Sequence, residues 1–431
     1  MEYKVMPGGS LSGEVRVPGD KSMSHRSIML GALAQGDTHV SGFLEGDDAL
    51  ATVAAFRQMG VEIEGPQDGK ITIQGVGLNG LQPPDGDLDL GNSGTSIRLL
   101  AGLLAGQSFD STLTGDESLR SRPMTRVLTP LALMGADIEG DRPPVTIRGG
   151  KSLRAIHYDL PMASAQVKSC VLLAGLYAQG ITSVTEPAPT RDHTERMLRG
   201  FGCEVSREDD VIFLQGGAGL NATDIDIPAD ISSAAFFMVA ASISPGSDLI
   251  LTHVGVNPTR TGVINILRLM GADISLQNER EVGGEPVADV RVRYAPLKGI
   301  EIPLDQVPLA IDEMPVLFIA AACASGCTTL HGAEELRVKE SDRIASMAEG
   351  LTTLGINTQI LDDGIVIEGG VLGGGTISTY HDHRIAMAFA VAALGAEREI
   401  RILDCDHVAT SFPGFDALAR GLGLQITVQE D

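Results

Sequence analysis

At 431 residues the chain is too long for one ordinary core, and 43% hydrophobic with 20% charged residues is a globular profile, so two domains are expected. A net charge of −24 argues against nucleic acid or an anionic membrane as a partner. The longest apolar stretch, residues 315–324, is far short of a membrane span.

The opening MEYKVMPGGS has no apolar export segment, which points to the cytoplasm. The cysteines Cys170, Cys203, Cys323, Cys327 and Cys405 fit buried free thiols in a reducing compartment. Cys323 and Cys327 are spaced to share a helix face, but no histidine or second cysteine pair stands near them, so no zinc site is expected.

Two phrases then alternate along the chain, six times each. The first is an alternating strand, a polar or Pro/Gly break, and a helix of small apolar residues. Its copies are VRVPGDKSMSHRSIMLGALA from Val15, LDLGNSGTSIRLLAGLLA from Leu88 and YDLPMASAQVKSCVLLAGLYA from Tyr158. They continue as IDIPADISSAAFFMVAASIS from Ile225, IEIPLDQVPLAIDEMPVLFIAAACA from Ile300 and ISTYHDHRIAMAFAVAALG from Ile377. Their Ala, Gly and Ser content predicts helices buried nearly all round. The second phrase is a helix end, a glycine and a half-buried strand, as in FRQMGVEIEG from Phe56 and LALMGADIEG from Leu131. Its glycines, Gly60, Gly135, Gly202, Gly271, Gly355 and Gly423, lie 67 to 84 residues apart and are expected to end helices in the left-handed conformation. Three such units per domain give two similar α/β domains. Breaks at Val17-Pro18-Gly19 and Ile227-Pro228-Ala229-Asp230 mark where the chain would cross from one domain to the other.

Each break of the first phrase falls at a predicted helix N-terminus, where free N–H groups and the helix dipole favour anions. Asp20-Lys21-Ser22-Met23-Ser24-His25-Arg26 places two cations and hydroxyls on one helix start. Gly91-Asn92-Ser93-Gly94-Thr95 with Arg98 allows close backbone approach to an oxyanion. Pro123 suits a first helical position and would hold Arg122 at a helix start. Ser164-Ala165-Gln166, with Lys168 on the next face, offers donors to phosphate, and Thr190-Arg191-Asp192-His193 adds a cation. In Arg337-Val338-Lys339-Glu340-Ser341-Asp342-Arg343, Lys339 and Arg343 would share a helix face with Glu340 between cations. Asp312, in the apolar segment Ile311-Asp312-Glu313-Met314-Pro315, is a candidate base. His381-Asp382-His383-Arg384 resembles a metal motif, but imidazoles two apart on a helix start diverge, so Arg384 is read as an anion clamp and no metal or other cofactor is expected.

Taken in order, these turns resemble the 5-enolpyruvylshikimate-3-phosphate synthase family along the whole chain. PMASAQVKS, TRDHTE, NPTRTG and ATSFPGF look like its second, glyphosate-tolerant class, although Gly94 stands where some tolerant members carry Ala. The resemblance implies an α/β fold: two domains of three βαβαββ repeats each, 1–18 plus 229–431 and 19–228, forming an inside-out α/β barrel pair with the active site in the cleft. It implies transfer of the enolpyruvyl group of phosphoenolpyruvate to the 5-hydroxyl of shikimate 3-phosphate, in the pathway to aromatic amino acids, by a monomer. By resemblance Lys21, Ser22, Arg26, Ser164, Ala165, Gln166, Arg191, Asp312 and Lys339 would bind shikimate 3-phosphate. Lys21, Asn92, Gly94, Arg122, Gln166, Arg343 and Arg384 would bind phosphoenolpyruvate, and Asp312, Glu340, Lys21 and His383 would be catalytic. Two alternatives remain: the sister transferase acting on a uridine-diphosphate amino sugar, whose loop cysteine has no counterpart around residues 112–124, and a non-catalytic repeat protein that binds polyanions.

Overall fold

The computed structural model describes residues 1–430. The chain forms two compact units. Unit 1 comprises residues 1–18, 228–281 and 286–431, and unit 2 comprises residues 19–227 and 282–285.

Twelve helices follow the two phrases of the sequence. In unit 2 they are α1 (Lys21–Leu33), α2 (Asp47–Gln58), α3 (Gly94–Leu104), α4 (Thr125–Met134), α5 (Ala165–Gly175) and α6 (His193–Gly200). In unit 1 they are α7 (Ile231–Ile243), α8 (Gly262–Leu269), α9 (Met314–Ala322), α10 (Arg343–Thr353), α11 (His383–Ala392) and α12 (Phe415–Leu422).

The odd-numbered helices are the inner ones. Every residue of α7 and α9 is buried. Small residues permit this by letting backbones approach: a Cβ on Gly102 of α3 would stand 2.2 Å from the Cys170 carbonyl oxygen of α5. In unit 1 the inner helices pack against Phe412 and Phe415, and Phe237 meets Phe412 edge-on at 6.0 Å.

The even-numbered helices end at the six repeated glycines. All six have φ between 83° and 117°. That is the left-handed region, which glycine enters without a Cβ penalty.

Each repeat closes on a small sheet with one strand order. Its first strand pairs in parallel with the second, the second pairs antiparallel with the fourth, and the fourth with the third. Leu88–Asp89, Ser111–Thr114, Val145–Arg148 and Asp137–Glu139 stand in that order, with Leu88 opposite Leu113 and Ile138 opposite Ile147. His157–Asp159, Ile181–Thr185, Val211–Gln215 and Val205–Glu208 repeat it. In unit 1, Gly375–Ile377, Ile400–Ile402, Glu2–Val5 and Ile426–Gln429 do the same, so the first strand of the chain completes the last sheet. The sheet of Cys327–Leu330, Ile365–Glu368 and Thr358–Ile360 has three strands, and single parallel bridges from Lys298 and Glu301 stand in for the first.

Several local expectations differ from the structure. Cys327 begins a strand and is exposed, while α9 ends at Ala322, so Cys323 and Cys327 share no helix face. Pro123 is not a first helical position: Glu117–Ser121 is itself a short helix, and Arg122 and Pro123 bridge it to α4, which opens at Thr125. Lys339 closes a 3-10 turn in extended conformation and Arg343 opens α10, so no helix face joins them. Lys168 faces the interior and is enclosed by acids, so it does not sit on an open helix face as a phosphate donor. Its side chain has no exposed area and lies 2.9 Å from Glu186 and 2.7 Å from Glu195. No helix among the described residues is long and apolar enough to cross a membrane.

Candidate active site

In unit 2 the opening turns of the three inner helices are bonded to one another. Asp20 caps α1 by accepting from Met23 N at 2.8 Å, which sets Lys21, Ser22 and Arg26 on its first turns. Ser93 caps α3, placing Gly94 at its first position, and Ser164 caps α5, followed by Ala165 and Gln166. Arg26 donates to Ser169 Oγ of α5 at 2.9 Å and to Thr194 Oγ1 of α6 at 2.7 Å. His25 Nδ1 lies 3.1 Å from Ser96 Oγ of α3, and Arg98 donates to Gln166 Oε1 at 2.8 Å. These bonds bring α1, α3 and α5 together at their N-terminal ends, where their partial positive charge is concentrated.

The cations there are held, not loose. Lys21 is ion-paired with the nearly buried Asp48. Arg122 donates to Asn92 Oδ1 at 2.7 Å, and Asn92 donates to Asp116 at 2.7 Å. A Cβ on Gly94 would stand 3.2 Å from Arg122 Nη1, so the glycine and the arginine share one spot. Burial lowers the Arg26 guanidinium to about 10, against the opposing pull of Glu195, and Arg191 is near enough to add to the lowering.

Unit 1 repeats the arrangement with acids added. Asp312 lies in the turn before α9. Its Oδ1 is 3.5 Å from Lys339 Nζ and 3.5 Å from Arg343 Nη1, and its carbonyl oxygen accepts from Arg384 of α11 at 2.8 Å. Glu340 reaches Arg343 Nη2 at 2.6 Å. Asp382 caps α11, accepts from Arg343 Nε at 2.8 Å, and is followed by His383 at the first helical position. Burial alone would lower the Arg343 guanidinium, but Asp382 and then Glu340 outweigh it and hold it above its ordinary value. Thus Asp312, Lys339, Glu340, Arg343, His383 and Arg384 gather at α9, α10 and α11. Among the described residues no group of three or more His, Cys, Asp or Glu side chains is placed to hold a metal.

Sequence reasoning passed over the partners that hold these cations. Asp48, Ser169 and Thr194 carry no local signal, because each meets its arginine or lysine only through the fold, and Asp116 bears on Arg122 only through Asn92. Asp382 did carry one. It stands where a helix cap is expected, directly before a buried apolar helix, whereas the reading of that turn rests on Arg384 as the anion clamp.

A family model described as EPSP synthase (3-phosphoshikimate 1-carboxyvinyltransferase) matches residues 5–418. Proteins named 3-phosphoshikimate 1-carboxyvinyltransferase from Alkalilimnicola ehrlichii and Methylococcus capsulatus are each 66% identical, over 99% and 98% of this chain and 97% of each relative. The solved EPSP synthase from Acinetobacter baumannii is 58% identical over the whole of both chains, with a TM-score of 0.91. The enolpyruvyl transferase NikO from Streptomyces tendae, at 18% identity and a TM-score of 0.77 over 99% of this chain and 98% of its own, shares the fold. The length matched by the family model, the high identity over nearly the whole of the named relatives and the likeness of fold agree, and the chain belongs to the EPSP synthase family.

Proposed function

We infer that the chain carries out the reaction for which its family is named. It transfers the carboxyvinyl group of phosphoenolpyruvate to the 5-hydroxyl of shikimate 3-phosphate and releases phosphate, a step of the shikimate pathway to the aromatic amino acids. The observation that carries the site assignment is the gathering of helix N-termini and buried cations in each unit, which suits two multiply charged anions in an otherwise acidic protein.

In this reading Lys21, Ser22, Arg26, Ser164, Ala165, Gln166, Arg191, Asp312 and Lys339 hold shikimate 3-phosphate. Lys21, Asn92, Gly94, Arg122, Gln166, Arg343 and Arg384 hold phosphoenolpyruvate. The reaction is an addition followed by an elimination. The 5-hydroxyl attacks C2 of the enol while C3 gains a proton, giving a tetrahedral ketal phosphate, and loss of a C3 proton then expels phosphate. Asp312 takes the hydroxyl proton, with Lys339 and Arg343 each 3.5 Å from its carboxylate to hold it in place. Glu340, fixed by Arg343 at 2.6 Å, serves C3, and Lys21 and His383 complete the catalytic set. The cations supply charge stabilisation as negative charge shifts toward the departing phosphate. The same reading takes the enzyme as a cytoplasmic monomer, and light scattering checks the monomeric state.

Phosphate release with phosphoenolpyruvate and shikimate 3-phosphate, against the same assay with a uridine-diphosphate amino sugar, tests the function. Turnover with the sugar alone would overturn it. Lys21→Ala and Arg122→Ala test the site: each should abolish turnover with the fold intact, and near-normal rates would remove that residue from it.

A further inference from the structure

Arg260 lies in the loop that leads into α8 of unit 1, and it is buried. The loop is fixed from within, since Arg260 N donates to the Asn257 carbonyl at 2.7 Å and Thr259 N donates to Asn257 Oδ1 at 2.9 Å. The Arg260 guanidinium points at the start of α7. Its Nη2 donates to Ser232 Oγ at 2.7 Å and to Asp230 Oδ1 at 3.3 Å. The same nitrogen stands 3.6 Å from Oε1 of Glu313, to which Ser232 also donates.

Glu313 is 2% exposed and follows Asp312 directly, at the entry to α9. A second guanidinium approaches its Oε1 from another helix. Arg384 Nη1 is 4.0 Å from that oxygen while it donates to the Asp312 carbonyl at 2.8 Å. One buried carboxylate oxygen is therefore in reach of two arginines. Arg260, with Ser232, is the nearer partner, and Arg384 stays on the backbone of the Asp312 turn. A buried carboxylate is tolerated only while it is paired. Removing the nearer partner would leave Arg384 as a guanidinium within reach to take its place.

We propose that Arg260 is a positioning residue for enolpyruvyl transfer: by satisfying Glu313 it keeps Arg384 on the Asp312 carbonyl, and so sets the phosphoenolpyruvate clamp and the turn of the proton acceptor together. This rests on the roles given above to Arg384 and Asp312. In this proposal Arg260 acts on the protein and not on a substrate. Its effect passes through Glu313, and a role in stability alone would leave KM unmoved in molecules that fold.

The test is steady-state kinetics on variants whose folding is checked by circular dichroism, with Arg384→Ala measured beside them. Arg260→Gln is expected to raise KM for phosphoenolpyruvate by about tenfold, with KM for shikimate 3-phosphate changed by less than about threefold. Adding Glu313→Gln removes the carboxylate that would capture Arg384, so the double variant should recover most of the lost affinity for phosphoenolpyruvate. If Arg260→Gln does not fold, Ser232→Ala and Arg260→Lys supply the reading, each with a smaller rise in the same KM. An unchanged KM for phosphoenolpyruvate in the folded Arg260 and Ser232 variants, with Arg384→Ala impaired, would overturn the proposal and leave the site assignment standing. A double variant no better than Arg260→Gln would also overturn it. An unimpaired Arg384→Ala would remove Arg384 from the site and take the proposal with it.

Discussion

Arg343 and Asp382 form a fully buried ion pair, with Nε 2.8 Å from Oδ2, and Asp382 also caps α11 through the Arg384 amide at 2.9 Å. One carboxylate thus sets two of the arginines assigned to phosphoenolpyruvate. Burial pushes its carboxyl up, but the charge and hydrogen bond of Arg343, together with His383, hold it below its ordinary value. The stability this contributes is present above the unfolded value of about 3.9 and is lost as pH falls through the lower folded value. Asp382→Asn keeps the shape and removes the charge, which should cost about 3–5 kcal/mol in urea unfolding at neutral pH. The variant should also lose less further stability than the parent below about pH 4. Equal stability at pH 7 would mean that the pair is not what fixes Arg343.

Gly94→Ala should separate binding from folding. The new Cβ would stand 2.8 Å from Arg98 Nη1 and 3.2 Å from Arg122 Nη1, both ends of flexible side chains. Stability should change by less than about 0.5 kcal/mol. KM for phosphoenolpyruvate should rise by about tenfold as Arg122 gives way. An unaltered KM would place phosphoenolpyruvate away from Gly94.

Lys168→Met should do the reverse. The substitution leaves Glu186 and Glu195 buried beside an apolar chain, at a cost of about 3–5 kcal/mol. Because Lys168 faces the core of unit 2, kcat per folded molecule should stay within about threefold of the parent. Thermal unfolding and active-site titration on the same samples measure both quantities.

His25 should leave a mark on the pH dependence of stability. Burial, then the charges of Lys21 and Arg26, hold its pKa well below 6.5. Its Nδ1 is bonded to Thr52 Oγ1 at 2.8 Å as well as to Ser96. The unfolded chain therefore takes up a proton near pH 6.5 that the folded chain refuses, and stability should fall on acidification below that value until the folded pKa is reached. The slope should be about 1.4 kcal/mol per pH unit between pH 6 and 5, and His25→Asn should remove it. Urea midpoints across that range decide the matter.

The repetition of the chain was legible because it is written locally. A glycine that must end a helix and a polar break that must begin one are each set by a few neighbouring residues, and all six glycines adopt the left-handed conformation expected of them. The cations at those breaks were legible for the same reason. Their partners were not: Lys21 meets the carboxylate of Asp48 from the next helix, and Arg26 donates to the Thr194 hydroxyl from 168 residues away. Spacing also misled where the backbone was not helical. Lys339 and Arg343 are four apart but converge on Asp312 from a 3-10 turn and a helix start, so their meeting depends on a residue some thirty positions upstream. Lys168 reads as an anion ligand from its position near a helix N-terminus, and only the fold reveals the two glutamates that enclose it.

The inner helices carry an arginine, lysine or acid at one end and the hydrophobic core along the rest of their length. A one-residue insertion within α3 or α11 would turn everything downstream by about 100° and drive a polar face into the interior. Length changes should therefore be confined to exposed turns between strands, such as the one at Asp209-Asp210, and the polar ends of the inner helices should be free to vary only by substitution. Engineering of this enzyme would proceed by exchanging side chains at fixed positions, because the scaffold leaves no slack for remodelling the helices themselves.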